Sequence, residues 1–586
     1  GMDEMPLTCD IIVLGATPGG TMAAVAAARR GCSVLLLERT AHIGGLPANG
    51  LGATDIGTRG ATGGLFLEFV RRIKAHYVDT YGATSPQAKD CSDGYHFEAS
   101  VAEGVFEAMI AEQPRITVLR GRQFDAAPAN LLFEHGQLRG LTVVDRASGQ
   151  RETYLANVLI DGTYEGDLAA AAGCPFETRR EGAEEYHEPR AGVVYIQWGG
   201  KQPGPGSTGA GSNTIQAFNY RLCLTTREAN RRPITKPATY NRDEYVGLIE
   251  DVAQGRHTGT GNPPSGIGWL TNMVTLPNGK TDSNNQHLAF LSTDLPEENY
   301  AWPTADWAWR DDFARRLRDY TLGLLWFAQN DPALPEAFRR ACSAWGLAKD
   351  EYVDNDNFPR QVYVREGRRI LGEHLFTAHD ALPQAPGRRP PLHADSITAS
   401  HYALDSHAHH KREAGRVALD GFFSYPTAPY TVPYGVMLPQ RAENLLTPVP
   451  VSGTHVGFST LRMEPCWMAM GQAAGTAAAL SVQSGHSVRE LNRDWLRDAL
   501  LTDGAILVYF RDVAPGHPQF VPLQKLALRG LIDDWNARLT EPVTKEDLAH
   551  WCAGLGIAPP ADITTGITQR GAAIAAVVAQ SEKAVG

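Results

Sequence analysis

The sequence predicts an α/β protein built on a nucleotide-binding sheet, and three observations lead there. Asp10-Ile11-Ile12-Val13-Leu14 is a short apolar run of strand length that ends in the turn Gly15-Ala16-Thr17-Pro18-Gly19-Gly20. That turn opens an alanine-rich stretch of helical length, which Gly31 stops. A second apolar run, Cys32 to Leu37, follows and ends on Glu38, eighteen residues beyond Gly20.

Strand, glycine turn, helix, strand and acid form an arrangement that suits a diphosphate. The helix start offers N–H groups and a partial positive charge, and an acid at the end of the second strand accepts ribose hydroxyls. Gly15 is expected to make the tight turn and Gly20 to let the helix approach the sheet. Thr17, Pro18 and Gly19 complete the loop, with Thr17 standing where G-x-G-x-x-G has its middle glycine. After Glu38 come Arg39-Thr40-Ala41-His42-Ile43-Gly44-Gly45 and Gly50-Leu51-Gly52-Ala53-Thr54-Asp55, small residues where a flat ring system could approach the backbone.

Composition narrows the class. The 586 residues are 43% hydrophobic and 20% charged, an ordinary globular balance that excludes wholesale disorder, collagen and coiled coil. A net charge of −11 disfavours a broad contact with nucleic acid or anionic lipid. No apolar run reaches the roughly 18 residues of a membrane span. Gly1 before Met2 reads as a cloning remnant, and Asp3 and Glu4 stand where a secretory signal would be positive, so a cytoplasmic location is expected. The eight cysteines are scattered singly without C-x-x-C, which points to reduced, packed thiols and away from a disulfide reductase or an iron–sulfur relay. His401, His407, His409 and His410 cluster without an accompanying carboxylate or second histidine group at ligand spacing, so no metal is expected.

Further landmarks extend the pattern along the chain. Tyr154 to Ile160 reads as a strand running into Asp161-Gly162-Thr163, and Asn444 to Ser452 leads through Gly453-Thr454-His455 to Gly471-Gln472-Ala473-Ala474-Gly475. Between them lie Lys280-Thr281-Asp282-Ser283-Asn284-Asn285, Trp345 to Glu351, Tyr363 to Arg369 and Asp405-Ser406-His407. With these blocks in this order the chain resembles the FAD-dependent oxidoreductase family, whose members include proteins labelled xanthan lyase-like. Pro448-Val449-Pro450 departs from the A-G-[RE] that usually closes the strand beneath the flavin.

The resemblance implies an FAD-binding Rossmann-like domain of the glutathione reductase/fumarate reductase type, with FAD as cofactor. Its parts would be residues 8–190 and 425–490, with a substrate or cap region inserted at 191–424 and a helical appendage at 491–586. Within the insertion, Gly199 to Ser212 reads as a loop, Trp302 to Trp345 as apolar helical packing rich in Trp and Arg, and Pro383 to Pro391 as a break. The last hundred residues look like one degenerate S-layer-homology repeat, which in a single copy is expected to pack as a separate helical unit.

No second dinucleotide fingerprint is present, so NAD(P)H reductase activity is disfavoured and electrons should come from an organic substrate and leave to an unidentified acceptor. Removing a hydride from a carbinol carbon needs a base for the hydroxyl, and histidine suits neutral pH. His455 and Arg462, seven residues apart, resemble the His and Arg pair lining the pocket of fumarate reductase-like flavoproteins. His407 is the reserve base, expected to face them. Gly471 and Gln472, taken as near the start of a helix, would meet the pyrimidine end of the flavin. The function expected is oxidation of a small polar, hydroxylated or carbohydrate-like substrate by hydride transfer to flavin N5. A flavin-containing carbohydrate-binding or lyase-like protein without net redox turnover, or a scaffold acting through its terminal repeat, is the alternative.

Overall fold

The computed structural model describes residues 7–585 apart from 562, 564, 565 and 568, so the reading of Gly1 to Glu4 lies outside the described residues. The chain opens with β1 (Leu7–Leu14), α1 (Pro18–Arg29) and β2 (Val34–Glu38), as the amino-terminal pattern predicts. It continues with β3 (Ile116–Arg120), β4 (Gln137–Asp145), β5 (Arg151–Asp161) and, much later, the two-residue β6 (Leu445–Leu446). The sheet runs β3-β2-β1-β5-β4, and β6 pairs with β5 from the other end of the chain. Contacts among β3, β2, β1, β5 and β6 are parallel, while β4 joins antiparallel. The strand expected over Asn444 to Ser452 is short because Pro448 and Pro450 cannot donate to a ladder.

Strand β1 is apolar throughout because both faces of the sheet are covered. Ile11 and Val13 point into the main core, and Ile12 and Leu14 into a smaller one with Leu35, Leu37, Leu141 and Leu159. On the main-core side, α1 crosses α4 (Glu464–Ser484), preceded by the short α3 (His455–Leu461). This crossing is made by missing side chains. A Cβ on Gly471 would stand 2.0 Å from the Gly19 carbonyl oxygen, and one on Gly475 would stand 2.1 Å from that of Ala23. The same tightness fixes the turn, since a Cβ on Gly20 would lie 1.9 Å from the Gly15 carbonyl oxygen.

The middle of the chain carries a five-stranded antiparallel sheet whose central strand, Leu222–Thr225, is flanked by Gly346–Ala348 and Lys280–Asn285. The polar strand Lys280–Asn285 is buried without conflict because its charges are paired. Lys280 Nζ lies 2.5 Å from Glu98, 2.9 Å from Asp350 and 3.3 Å from Glu351. The long helix α2 (Trp307–Asn330) brings Trp307, Asp311 and Ala314 to a cavity that the ends of β1 and β2 also line.

The carboxy-terminal segment is helical, with helices at Arg493–Thr502, Phe520–Leu528, Lys545–Leu555 and Arg570–Val585. It is not the separate unit its sequence suggests. The Gly504 carbonyl accepts from Gly64 N–H, the Ile506 carbonyl from Ala399 N–H and the Leu507 carbonyl from Ser396 Oγ, and the main core continues through Leu496, Leu523 and Val577. All eight cysteines are free thiols and seven are buried. Among the described residues, no helix is long and apolar enough to cross a membrane.

Replacing Gly475 with leucine should drive α1 and α4 apart. Overpacking of this kind costs about 1–3 kcal/mol or more, so the variant should unfold at lower temperature in a thermal melt. An unchanged melting temperature would show that the crossing has slack.

Candidate functional site

Two cavities lie on opposite sides of one stretch of chain, and the first is at the carboxyl ends of β1 and β2. The first is built around the amino-terminal turn. Gly15 holds a φ of +93° and its N–H donates to the Leu37 carbonyl (2.8 Å). Thr17 caps α1: its Oγ1 accepts from Gly20 N–H (3.1 Å) and donates to the Gly162 carbonyl (2.6 Å). Pro18 then takes the first helical position, where its missing N–H costs nothing. Gly45 lies beside this helix start, where a Cβ would stand 2.6 Å from Pro18 and 2.7 Å from the Tyr164 hydroxyl, and Gly44 N–H donates to the Ala16 carbonyl (2.8 Å).

Glu38 ends β2 inside the cavity wall. Its Oε1 accepts from Ala16 N–H (3.0 Å), and its Oε2 from Thr40 N–H (2.9 Å) and Thr40 Oγ1 (2.8 Å), with burial pushing its carboxyl up from the ordinary value. Arg39 donates to Asp311 (2.8 Å) and Gln123 (2.9 Å), and its guanidinium lies 4.1 Å from the centre of the Trp307 ring. That contact brings α2 over the opening, and Trp302, Trp307 and Tyr220 line it. A glycine-floored turn at a helix start, with an acid behind it and aromatic rings above, fits a dinucleotide. The three aromatic residues were missed in the sequence, where the Trp- and Arg-rich stretch has the spacing of an ordinary packed helix.

The other expected cofactor residues take supporting positions. Asp161 Oδ1 accepts from Thr163 N–H and Oγ1, and Oδ2 from Ala169 N–H, so this carboxyl, pushed up to about 6 by burial, shapes the turn after β5. Gly162 N–H donates to the Leu14 carbonyl (2.8 Å). The reading of Gly471 and Gln472 needs correction. Helix α4 begins at Glu464, so both sit two turns in; Gly471 packs on Gly19, and Gln472 Oε1 accepts from Leu65 N–H (2.8 Å). Their spacing was a helix-packing signal.

Glu464 itself, at the true start of α4, was not singled out. It is buried, its Oε1 accepts from the Tyr164 hydroxyl (2.7 Å), and its Oε2 has no partner. Burial pushes it up to about 8, against the Tyr164 hydrogen bond.

The second cavity, of about 180 Å³, lies across a single stretch of chain. In Val362 to Arg365, the side chains of Val362 and Val364 line the first cavity, and those of Tyr363 and Arg365 line the second. This is the period-2 alternation of extended backbone, held by an antiparallel bridge from Tyr363 to Asn219. Arg365 is 2% exposed; its Nη1 donates to the Ala217 carbonyl (2.6 Å) and Asp294 (3.0 Å), while Nε and Nη2 have no partner. Arg462 Nη2 donates to the Asp405 carboxylate (2.9 Å) and Nη1 to the Tyr363 hydroxyl (3.2 Å), and its Nε is also unpaired. Arg221, paired with Asp282 and Asp55, completes the set.

His407 lines this cavity. Its Nδ1 lies 2.6 Å from Asp294 and its Nε2 3.5 Å from Asp405. Burial raises the Asp294 carboxyl, but Arg365 and His407 outweigh it and hold the group below its ordinary value. Asp405 is likewise lowered against burial, by His407 and Arg462.

His455 and Arg462 do not share one pocket as expected. Helix α3 puts them at opposite ends, and only Arg462 lines the cavity. His455, 1% exposed, has Nδ1 2.7 Å from Glu366, and Nε2 3.1 Å from Ser406 Oγ and 3.3 Å from His409 Nε2. The Ser406, His455 and Glu366 series has the order of a hydrolytic triad, but it lines neither cavity. One more group escaped the sequence reading: His374, Asp380 and His393 converge within 4.8 Å, residues too far apart in sequence to show ligand spacing. Asp380 answers both rings, at 3.1 Å and 2.8 Å, so the cluster is closed by its own ion pairing.

A family model described as FAD dependent oxidoreductase matches residues 10–500. No curated protein matches the chain. Among solved structures it is similar to the anhydrotetracycline hydroxylase OxyS from Streptomyces rimosus, at 17% identity over 29% of this chain and 35% of that one, with a TM-score of 0.22. It is similar to the myxobacterial chondrochloren halogenase CndH at 16% identity, over 40% and 47% of the two chains, with a TM-score of 0.22. For THI4 of Thermovibrio ammonificans the identity is 20%, over 30% and 66%, with a TM-score of 0.22. The matches thus span between 35% and 66% of those chains.

A carboxyl raised by folding is held in its protonated form, so the folded state binds more protons than the unfolded one between the ordinary value of 4.5 and about 8. Stability therefore falls as pH rises through that window. Glu464→Gln should remove this part of the slope and be the more stable protein near the upper end. Melting curves across the range would check it, and a parallel pH dependence in the variant would refute the assignment.

Proposed function

This chain belongs to the FAD dependent oxidoreductase family, and from that premise we propose that this FAD-containing enzyme oxidises a small hydroxylated or carbohydrate-like substrate in the His407 cavity. The observation that carries the reading is the Val362 to Arg365 wall, whose alternate side chains face the cofactor cavity and a polar cavity lined by Arg365, Arg462 and His407. Bound FAD supplies the hydride acceptor, at N5.

The residues supply the rest. Asp294 accepts a hydrogen bond from His407 Nδ1–H, which leaves the Nε2 lone pair for the substrate hydroxyl and supports the imidazolium once the substrate proton has moved to Nε2. As the carbinol carbon gives up its hydride, the O–H proton goes to His407 and the C–O bond becomes a carbonyl. Arg365 and Arg462, on the cavity lining, bring positive charge to substrate oxygens. The rings of His407 and Phe422, 5.1 Å apart, close one side against water. In this reading His455 is a positioning residue, holding Ser406 and hence the His407 backbone through Glu366. The 491–586 segment is a packing element, because it is hydrogen-bonded into the body.

The alternative, carbohydrate binding without turnover, uses the same cavity and differs in one readout, loss of flavin absorbance on anaerobic mixing with sugars, polyols or hydroxy acids. His407→Asn should retain FAD and slow that reduction by roughly 100-fold or more, the scale for losing a general base. Near wild-type reduction in this variant would remove the base from His407. Separately, NADH and NADPH should leave the flavin oxidised on the stopped-flow timescale, and rapid bleaching by either would overturn the assignment of an organic electron donor.

A further inference from the structure

The His407 cavity does not end at its aromatic wall. A second space of about 260 Å³ lies outside it, and Trp198 and Phe422 line both. The outer space is rimmed by Gln197, Ser424 and the Gly199-Gly200 backbone. We propose that the substrate is a glycoside of at least two sugar units, with the reacting unit beside His407 and the next unit on the Trp198 and Phe422 platform. This rests on the reading of the inner cavity given above and extends it to a longer substrate.

Three observations support the assignment. First, Trp198 is a fixed platform: its N–H donates to the Thr258 carbonyl and its carbonyl accepts from Thr260 N–H, both at 3.0 Å. Its ring sits 4.4 Å from His287 and 5.8 Å from Phe422, so the side chain is wedged between rings. Second, the backbone along the outer space makes a turn that suits glycine. Gly199 has a φ of +84°, and a Cβ there would stand 2.8 Å from Thr260 Oγ1. An aromatic plate with a polar rim suits a sugar ring, which has an apolar C–H face and hydroxyls at its edge.

Third, each arginine of the inner cavity is paired with a carboxylate. Arg221 is paired with Asp282 and Asp55, Arg365 with Asp294, and Arg462 with Asp405. Asn272, Asn284, Asn285, Tyr402 and His407 share the lining with them. A hydroxyl that both donates and accepts answers such a mixed set.

The test is equilibrium binding to the FAD-loaded enzyme, followed by tryptophan fluorescence, with cellobiose, maltose and lactose against glucose and galactose. At least one disaccharide should bind roughly ten-fold more tightly than its own monosaccharides, the scale of one good aromatic platform. That ratio should fall toward one in Trp198→Ala and be largely kept in Trp198→Phe. Ser424→Trp, at an exposed position, should fill the outer space and abolish the ratio if Trp198→Ala does not fold. No disaccharide advantage, no saccharide binding, or an advantage that survives both variants would overturn the proposal. Disaccharide preference without flavin bleaching would leave this subsite standing and remove the redox reading, and bleaching by monosaccharides without the preference would do the reverse.

Discussion

The crossing of α1 and α4 at backbone distance is the constraint from which the cofactor cavity follows. Gly19 against Gly471, and Ala23 against Gly475, let two helices from opposite ends of the chain approach until side chain meets carbonyl. The crossing fixes where α1 points, so Thr17, Pro18 and Gly19 present the helix start at the cavity mouth. It also places the start of α4, and with it Glu464, beside Tyr164 from the first third of the chain. Helix packing of this closeness transmits small changes because interiors are dense and have little room to relax.

Away from that crossing, the interior is unusually rich in paired charge. Arg180 with Asp420, Arg310 with Asp167, Arg369 with Glu181, and Arg365 with Asp294 are all nearly inaccessible to water. Such pairs add little to stability once the desolvation of both ions is counted, yet leaving one partner alone is expensive. Their service here is geometrical. Each holds two segments distant in sequence at one spacing.

The two cavities are related through one extended stretch, Val362 to Arg365. A strand presents alternate side chains to opposite sides, so a four-residue segment can line a cofactor site with valines and a polar site with tyrosine and arginine. This economy explains why the chemistry of the polar site is carried by residues from scattered parts of the insertion, including His407, Asp294 and Arg221. Each is local to a different loop, and the strand is their shared reference.

The sequence by itself determined the amino-terminal strand, turn, helix, strand and acid, the return of the chain to the same sheet, and the cofactor class, because these depend on local periodicity and on glycines that only one geometry needs. It also singled out His407 and Arg462, which the fold brings to one cavity. Only the tertiary structure decided that Gly471 and Gln472 pack a helix crossing, that the C-terminal helices share the main core, and that His455 lies behind the cavity with both ring nitrogens engaged. The physical reason is the same in each case. A glycine or a histidine has one signature in sequence whether it faces a ligand or a carbonyl, and the difference is made by contacts between segments hundreds of residues apart.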